Sequence, residues 1–184
     1  AAQYRKSSFL LDSLGSSVAA DHLTLAEQPH LPNSIGAAAF DGDGVATRAK
    51  AFVERGTVTN YLLSTYSARK LNMQTTGNAG GVFNLTASGR TLPRDELLRT
   101  MGRGLYVTEL MGQGVNGVTG DYSRGASGFW VEDGVIAYPV DEITIAGNLK
   151  DIYRDVQYLG DDLDMRGNIR APSTLVGSMT LAGT

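Results

Sequence analysis

The chain of 184 residues is long enough for one domain with a real core, since a chain of this size buries roughly 70% of its unfolded surface. Its 16 basic and 19 acidic residues leave a net charge of −3, which disfavours nucleic acid as a direct partner. The lack of cysteine excludes disulfide bonds and thiolate metal ligands, and no run approaches the ~18 apolar residues of a membrane span. We therefore expect a folded, turn-rich protein with no direct nucleic-acid or membrane partner.

The first part of the chain predicts short strands joined by turns. Two prolines interrupt residues 21–32, so we expect irregular structure there with one short strand. Asp41–Gly44 predicts a turn between two strands, because Asp bonds nearby backbone and Gly accepts positive φ. The turn Arg55-Gly56, between residues 45–54 and 57–63, predicts a hairpin.

Two short helices are predicted next. Ser64 is a suitable N-cap for a helix that reaches Leu71. The second helix follows Thr91, because Pro93 suits a first turn and an apolar stripe extends to Met101. Beyond it, residues 105–110 have the composition of a strand.

A glycine-rich stretch, residues 112–128, predicts a loop. After it, Phe129–Val131 and Val135–Tyr138 predict two strands joined by an Asp-Gly turn. Apolar residues recur at helical spacing from Leu149 to Leu159, and residues 174–181 predict a final strand. We therefore predict an α+β fold: a single strand-rich domain of mostly antiparallel hairpins with about three short helices, covering residues 1–184.

Several isolated motifs have ordinary structural interpretations. Gly112–Gly117 matches the dinucleotide fingerprint, but the residues after it do not favour the helix that this site requires. Asp41–Gly44 begins like a calcium loop, but the position of the bidentate glutamate is occupied by Phe52. His22 and His30 have no ligand spacing, so we predict no catalytic residue and no metal site in this chain.

Two further matches are weak. Ser67 and Lys70 have the spacing of a serine–lysine hydrolase, although the other elements of such a site are absent. Asn84 begins a glycosylation acceptor only if the protein is secreted.

The segment Asp121–Arg124 is the strongest candidate for binding. An arginine and two hydroxyls among glycines allow close approach to the backbone, which suits a peptide held as an added strand. The alternative is structural, with Tyr122 packing and Arg124 forming a salt bridge. The candidate substrate-binding residues are Gly112, Gln113, Gly114, Asp121, Tyr122, Ser123 and Arg124.

Ordered blocks of the sequence resemble the TldD/PmbA family. The blocks shared with the family are Phe40–Gly44, Val53–Gly56, Tyr61–Leu63, Ser67–Leu71 and Thr75–Asn78. The blocks that resemble the PmbA branch in particular are Gly104–Gly114, Gly120–Gly125 and Glu142–Asp151. They occur in the family's order and cover nearly the whole chain. Because family members are longer, the resemblance implies that this chain is a C-terminal part whose N-terminal part is absent.

The resemblance implies a two-subunit, cytoplasmic bacterial peptidase. TldD-type chains carry zinc, whereas PmbA-type partners, also called TldE, lack it. TldD-type chains add a cysteine ligand near the position of residues 168–172, and this chain has no cysteine. The resemblance thus implies a metal-free subunit that pairs with a TldD-like zinc peptidase and helps bind unfolded peptide; self-association is left open. The alternative that it leaves is a regulatory protein-binding module acting on DNA gyrase.

Overall fold

The computed structural model describes residues 2–183, which form three sheets and three short helices. The helices are α1 (Thr65–Lys70), α2 (Arg94–Met101) and α3 (Leu149–Arg154). The strands are β1 (Thr24–Glu27), β2 (Lys50–Glu54), β3 (Thr57–Val58), β4 (Leu85–Ser88), β5 (Thr91–Leu92), β6 (Gly104–Met111), β7 (Asp121–Glu132), β8 (Val135–Asn148), β9 (Val156–Gly160), β10 (Ile169–Arg170), β11 (Thr174–Val176) and β12 (Thr180–Ala182).

The strands form a five-stranded sheet in the order β10-β4-β1-β2-β3, a three-stranded sheet in the order β11-β9-β5, and a four-stranded sheet in the order β12-β8-β7-β6. Most neighbours are antiparallel, and the parallel pairs are β10 with β4 and β5 with β9. The predicted α+β class, with mostly antiparallel strands and three short helices, is confirmed. No helix within residues 2–183 has the length and apolarity needed to cross a bilayer.

The main buried core joins the five-stranded and three-stranded sheets. Val53 and Val58 of the β2-β3 hairpin belong to the same apolar cluster as Val156 and Leu159 of β9. The His22 side chain links these sheets through both ring nitrogens. The Arg90 N–H donates to Nδ1 at 3.1 Å, so the ring proton is on Nε2, which donates to the Val156 carbonyl at 2.9 Å.

Predictions based on local chemistry are confirmed. Ser64 caps α1, where its hydroxyl accepts from the Ser67 N–H and the Ser67 hydroxyl accepts from the Ser64 N–H. Helix α2 begins after Pro93, as its fixed φ favours. Asp133 and Gly134 both have positive φ, at 51° and 74°, which is the conformation of a type I′ hairpin turn.

Strand lengths near the first turns differ from the prediction. The turn Asp41–Gly44 forms, but its flanks meet only at one bridge, between Phe40 and Ala46. The following strand begins at Lys50 rather than Val45, and its hairpin partner ends at Val58. Beyond Val58 the chain remains bonded to β2 through the Thr59 N–H and the Asn60 side-chain amide, but it leaves the regular ladder.

The predicted loop over residues 112–128 was too long, since β7 already begins at Asp121. Residues 112–120 do form a loop, whereas Gly128 lies within β7 and serves close strand packing. A Cβ on Gly128 would lie 2.0 Å from the carbonyl oxygen of Tyr106 on β6. Glycine therefore allows β6 and β7 to pair there.

The predicted helix over residues 149–159 was wrong in its second half. Helix α3 ends at Arg154, and Val156–Gly160 form β9, which pairs with β5 and β11. Residues 174–181 likewise divide into two strands of different sheets, because Asp155 accepts from the Ser178 N–H at 2.8 Å and holds a break between them.

Candidate functional site

The glycine loop between β6 and β7, residues 112–120, brings the two predicted clusters together. The Ser123 N–H donates to the Gly114 carbonyl at 2.7 Å, and Val115 forms a bridge with Tyr122. A Cβ on Gly114 would lie 1.5 Å from the Ser123 carbonyl oxygen, so no other residue fits this backbone. Glycine is therefore required at position 114, because the backbone of the loop and the backbone of β7 lie so close together there.

The tip of the loop is ordered by Asn116. Its side-chain oxygen accepts from the N–H groups of Val118 at 2.9 Å and Thr119 at 3.3 Å. The Asn116 carbonyl accepts from the Gly120 N–H at 2.8 Å, which closes a single turn. The dinucleotide-like residues Gly112–Gly117 thus lie in a hairpin loop and do not open a helix, so the structure lacks the geometry of a phosphate site there.

The candidate residues face two sides of the sheet. Gln113, Gly114, Asp121 and Ser123 line a shallow depression with the loop tip. Since successive strand residues point to opposite faces, Tyr122 and Arg124 lie on the other side. The seven residues are close along the backbone, but their side chains do not form one cluster.

Arg124 has an incomplete set of partners. Its Nη2 donates to the Leu110 carbonyl at 3.2 Å, which ties β7 to the end of β6. Its Nε is shielded from solvent and has no acceptor within residues 2–183. The structural alternative to peptide binding was that Arg124 forms a salt bridge. The described residues contain no ion pair that involves Arg124. A buried donor without a partner costs free energy, so Arg124 is suited to an acceptor from outside these residues.

Strand β6 forms one edge of the four-stranded sheet. It pairs with β7 along Gly104–Met111, and no other described strand lies on its outer side. In an antiparallel pair, alternate residues direct their N–H and C=O groups outward. An eight-residue edge of this kind can accept an extended peptide as a further strand.

The described residues do not fit a zinc ion. Residues 2–183 contain no group of three His, Cys, Asp or Glu side chains that could coordinate a metal. Both ring nitrogens of His22 bond to backbone, and His30 Nε2 lies 3.0 Å from the Thr47 hydroxyl. These histidine nitrogens are therefore used in hydrogen bonds within the fold.

Asp41 is likewise committed to structure. Burial alone would raise its pKa, but N–H groups of Ala79, Val45 and Asp43 donate to its carboxylate and hold the pKa below the usual 3.8. The carboxylate therefore fixes the Asp41–Gly44 turn rather than a calcium ion.

Two other motifs are also structural. Ser67 is 3% exposed and its hydroxyl belongs to the α1 cap, whereas the Lys70 ammonium lies over the Tyr66 ring, 5.6 Å from its centroid. No hydrogen bond joins Ser67 and Lys70 among the described contacts. Asn84 is 1% exposed and its amide is bonded, so the folded chain does not present it for glycosylation.

No motif in the sequence predicted the buried ion pair between Glu27 and Lys50. Glu27 is 1% exposed and also accepts from the Asn78 amide and the Phe83 N–H, each at 3.0 Å. A cavity beneath α2 was also missed. Both features combine residues from distant parts of the chain, so no spacing rule could find them.

Comparison with known proteins identifies the family. Residues 1–183 match the model of the PmbA/TldA metallopeptidase C-terminal domain. Metalloprotease PmbA of Escherichia coli O157:H7 is 52% identical over 180 residues, which cover 98% of this chain and 40% of that protein. A TldD homolog from Buchnera aphidicola subsp. Acyrthosiphon pisum is 21% identical over 172 residues, which cover 86% of this chain and 35% of that protein.

Solved structures agree. A Bacteroides thetaiotaomicron protein described as a candidate modulator of DNA gyrase has a TM-score of 0.93 and 32% identity, covering 100% of this chain and 41% of its own. TldE of Thermococcus kodakarensis, at 20% identity, shares the fold with a TM-score of 0.82, covering 98% of this chain and 46% of its own. The chain thus spans about 40% of the length of the PmbA relatives it matches. On these findings the chain belongs to the PmbA/TldD family, in its PmbA branch, and corresponds to the C-terminal domain of that family.

Proposed function

We propose that this chain acts as a metal-free PmbA/TldE-type subunit that pairs with a TldD-like zinc metallopeptidase and helps hold unfolded peptide. The 52% identity to PmbA and the presence of TldD homologs among the relatives support this pairing. The zinc belongs to the TldD-like partner in this proposal, because the donors of the present chain are used in its own hydrogen bonds. We expect the complex to act in the cytoplasm.

The observation that carries the peptide-binding role is the open edge of β6 beside Arg124. An extended peptide along β6 would pair its backbone with the outward N–H and C=O groups, which requires no particular peptide sequence. The Arg124 Nε is a shielded donor without an acceptor near the end of that strand, and a peptide oxygen would satisfy it. The preference for unfolded substrate follows, since folded strands already use their backbone groups.

The proposal is tested with the full natural protein and its TldD-like partner. Peptide hydrolysis should require both chains, and Arg124→Gln should weaken peptide binding by the mixture about ten-fold, as expected for loss of one charge-assisted hydrogen bond. Arg69→Gln, at an exposed position on α1, is the matched control and should bind normally. Hydrolysis by the purified protein alone after zinc removal would contradict the assigned role.

A second candidate function is regulation of DNA gyrase through protein contacts. It is favoured by the description of two matching solved structures, one of them from Bacteroides thetaiotaomicron, as candidate gyrase modulators. Co-purification distinguishes the two functions: recovery of a TldD-like chain supports the peptidase complex, whereas recovery of gyrase without that chain supports the regulatory module.

A further inference from the structure

A cavity of about 510 Å³ lies between helix α2, the β6 side of the four-stranded sheet and the segment of residues 173–179. Leu97, Leu98 and Met101 of α2 form one wall, and Trp130 and Ile145 contribute from the sheet. Its volume lies within the range of pockets that hold small molecules or a few residues of a peptide. The interior therefore suits an apolar ligand.

The charges in the cavity wall are both positive. Arg94 lies over the Tyr106 ring at 5.1 Å, and Arg103 lies over the Trp130 ring at 5.7 Å. Ring stacking orients each guanidinium but satisfies none of its N–H donors fully. No aspartate or glutamate lines the cavity. The wall thus combines apolar side chains with two cations that have no carboxylate partner within 4 Å in the described residues.

The neighbouring acids already have donors of their own. Asp162, whose carboxylate is close enough to interact with Arg94, accepts from the Ser173 N–H and hydroxyl at 2.8 and 2.5 Å. Glu132 accepts from the Trp130 Nε1 at 3.2 Å. Neither carboxylate lies within 4 Å of a guanidinium nitrogen of Arg94 or Arg103, and neither residue lines the cavity.

Arg124 lies on the same face of the sheet as the cavity. It is directly opposite Ile145 in the β7-β8 register, and opposed cross-strand residues share a face. Ile145 lines the cavity. Arg124 does not itself line the cavity, so its unsatisfied Nε supports the β6 site and carries no part of this inference.

We propose that this cavity binds the C-terminal end of a peptide, with apolar side chains beneath α2 and the terminal carboxylate between Arg94 and Arg103. The inference rests on the proposed peptide-binding function and names the part of the peptide that is recognised. A chain end fits better than an internal segment, because only the end supplies an anion next to an apolar side chain without requiring an acidic residue.

The experiment uses Trp130, which lines the cavity, as the reporter. The full natural protein is titrated with acetyl-Ala-Ala-Leu-Leu bearing a free carboxylate, with its C-terminal amide, and with decanoate. The free acid should change Trp130 fluorescence saturably and bind about ten-fold or more tightly than the amide. Trp130→Phe should abolish the signal.

Variants locate the carboxylate. Arg94→Gln and Arg103→Gln should each bring the acid close to the affinity of the amide, whereas Arg99→Gln, on α2 but outside the cavity wall, should leave it unchanged. Equal binding of acid and amide would overturn the cavity assignment while leaving peptide binding along β6 intact. Binding of decanoate without the peptide acid would overturn the peptide as occupant. Absence of binding of either peptide, by calorimetry as well as fluorescence, would overturn both proposals.

Discussion

Gly114 lies so close to β7 that a Cβ on it would be 1.5 Å from the Ser123 carbonyl oxygen. Gly114→Ala must therefore push the loop backbone away from β7, and we expect it to lower the free energy of unfolding by about 1–3 kcal/mol. The Ser123 N–H, which bonds to the Gly114 carbonyl, should exchange with deuterium faster.

Gly117→Ala is the matched control for that substitution. Gly117 lies in the same loop, but a Cβ there meets no atom within 4 Å and its φ is outside the left-handed region. Urea unfolding and exchange at Ser123 should stay close to the unsubstituted protein. If both variants behaved alike, close approach would not explain the glycine at position 114.

The buried pair of Glu27 and Lys50 predicts a strong coupling. Lys50→Met leaves the Glu27 carboxylate buried with only the neutral donors of Asn78 and Phe83, and we expect a loss of about 3–5 kcal/mol. Adding Glu27→Gln should recover part of that loss, since the uncompensated charge is removed. Urea denaturation of both single variants and the double variant measures the coupling, and additive losses would contradict it.

The hydrogen bonds to the Asp41 carboxylate predict that the protein becomes less stable at acidic pH. Its folded-state pKa lies below the usual 3.8, so the stabilisation is complete above the unfolded-state value of about 3.9 and is lost as pH falls through the folded-state pKa. Asp41→Asn should lower stability at pH 7 and flatten the decline at acidic pH. Thermal unfolding between pH 7 and pH 2 measures both effects. An Asn variant with an unchanged acid profile would count against this account.

Ser67 should behave as the second member of the α1 capping box, bonded to Ser64, and not as a nucleophile. A fluorophosphonate probe should leave it unlabelled in the folded protein, because the side chain is 3% exposed and its hydroxyl is bonded within the cap. Ser67→Ala should destabilise the protein by about 0.5–2 kcal/mol. Lys70→Ala, at an exposed position on the same helix, should have little effect on stability. Labelling of Ser67 that is lost in the Lys70→Ala variant would instead support the serine–lysine hydrolase hypothesis.

The elements predicted well are those governed by short-range bonds. Ser64 and Ser67 bond across three residues, and the type I′ turn needs only the positive φ of Asp133 and Gly134. Strand β9 was missed because its spacing also fits a helix, and its strand state depends on pairing with β5 and β11. A local sequence pattern carries no information about a partner strand that comes from elsewhere in the chain.

For the candidate site, the sequence by itself determined that residues 112–114 and 121–124 belong to one glycine-rich region, and its blocks indicated the family. Only the tertiary structure decided that Arg124 faces away from Ser123, toward the side of the sheet with the cavity. Likewise, Glu27 meets Lys50 and Asn78 across 23 and 51 residues of sequence. The physical reason is that a side chain's face is set by strand alternation and register, and its partners by how separate sheets pack, neither of which is encoded in local spacing.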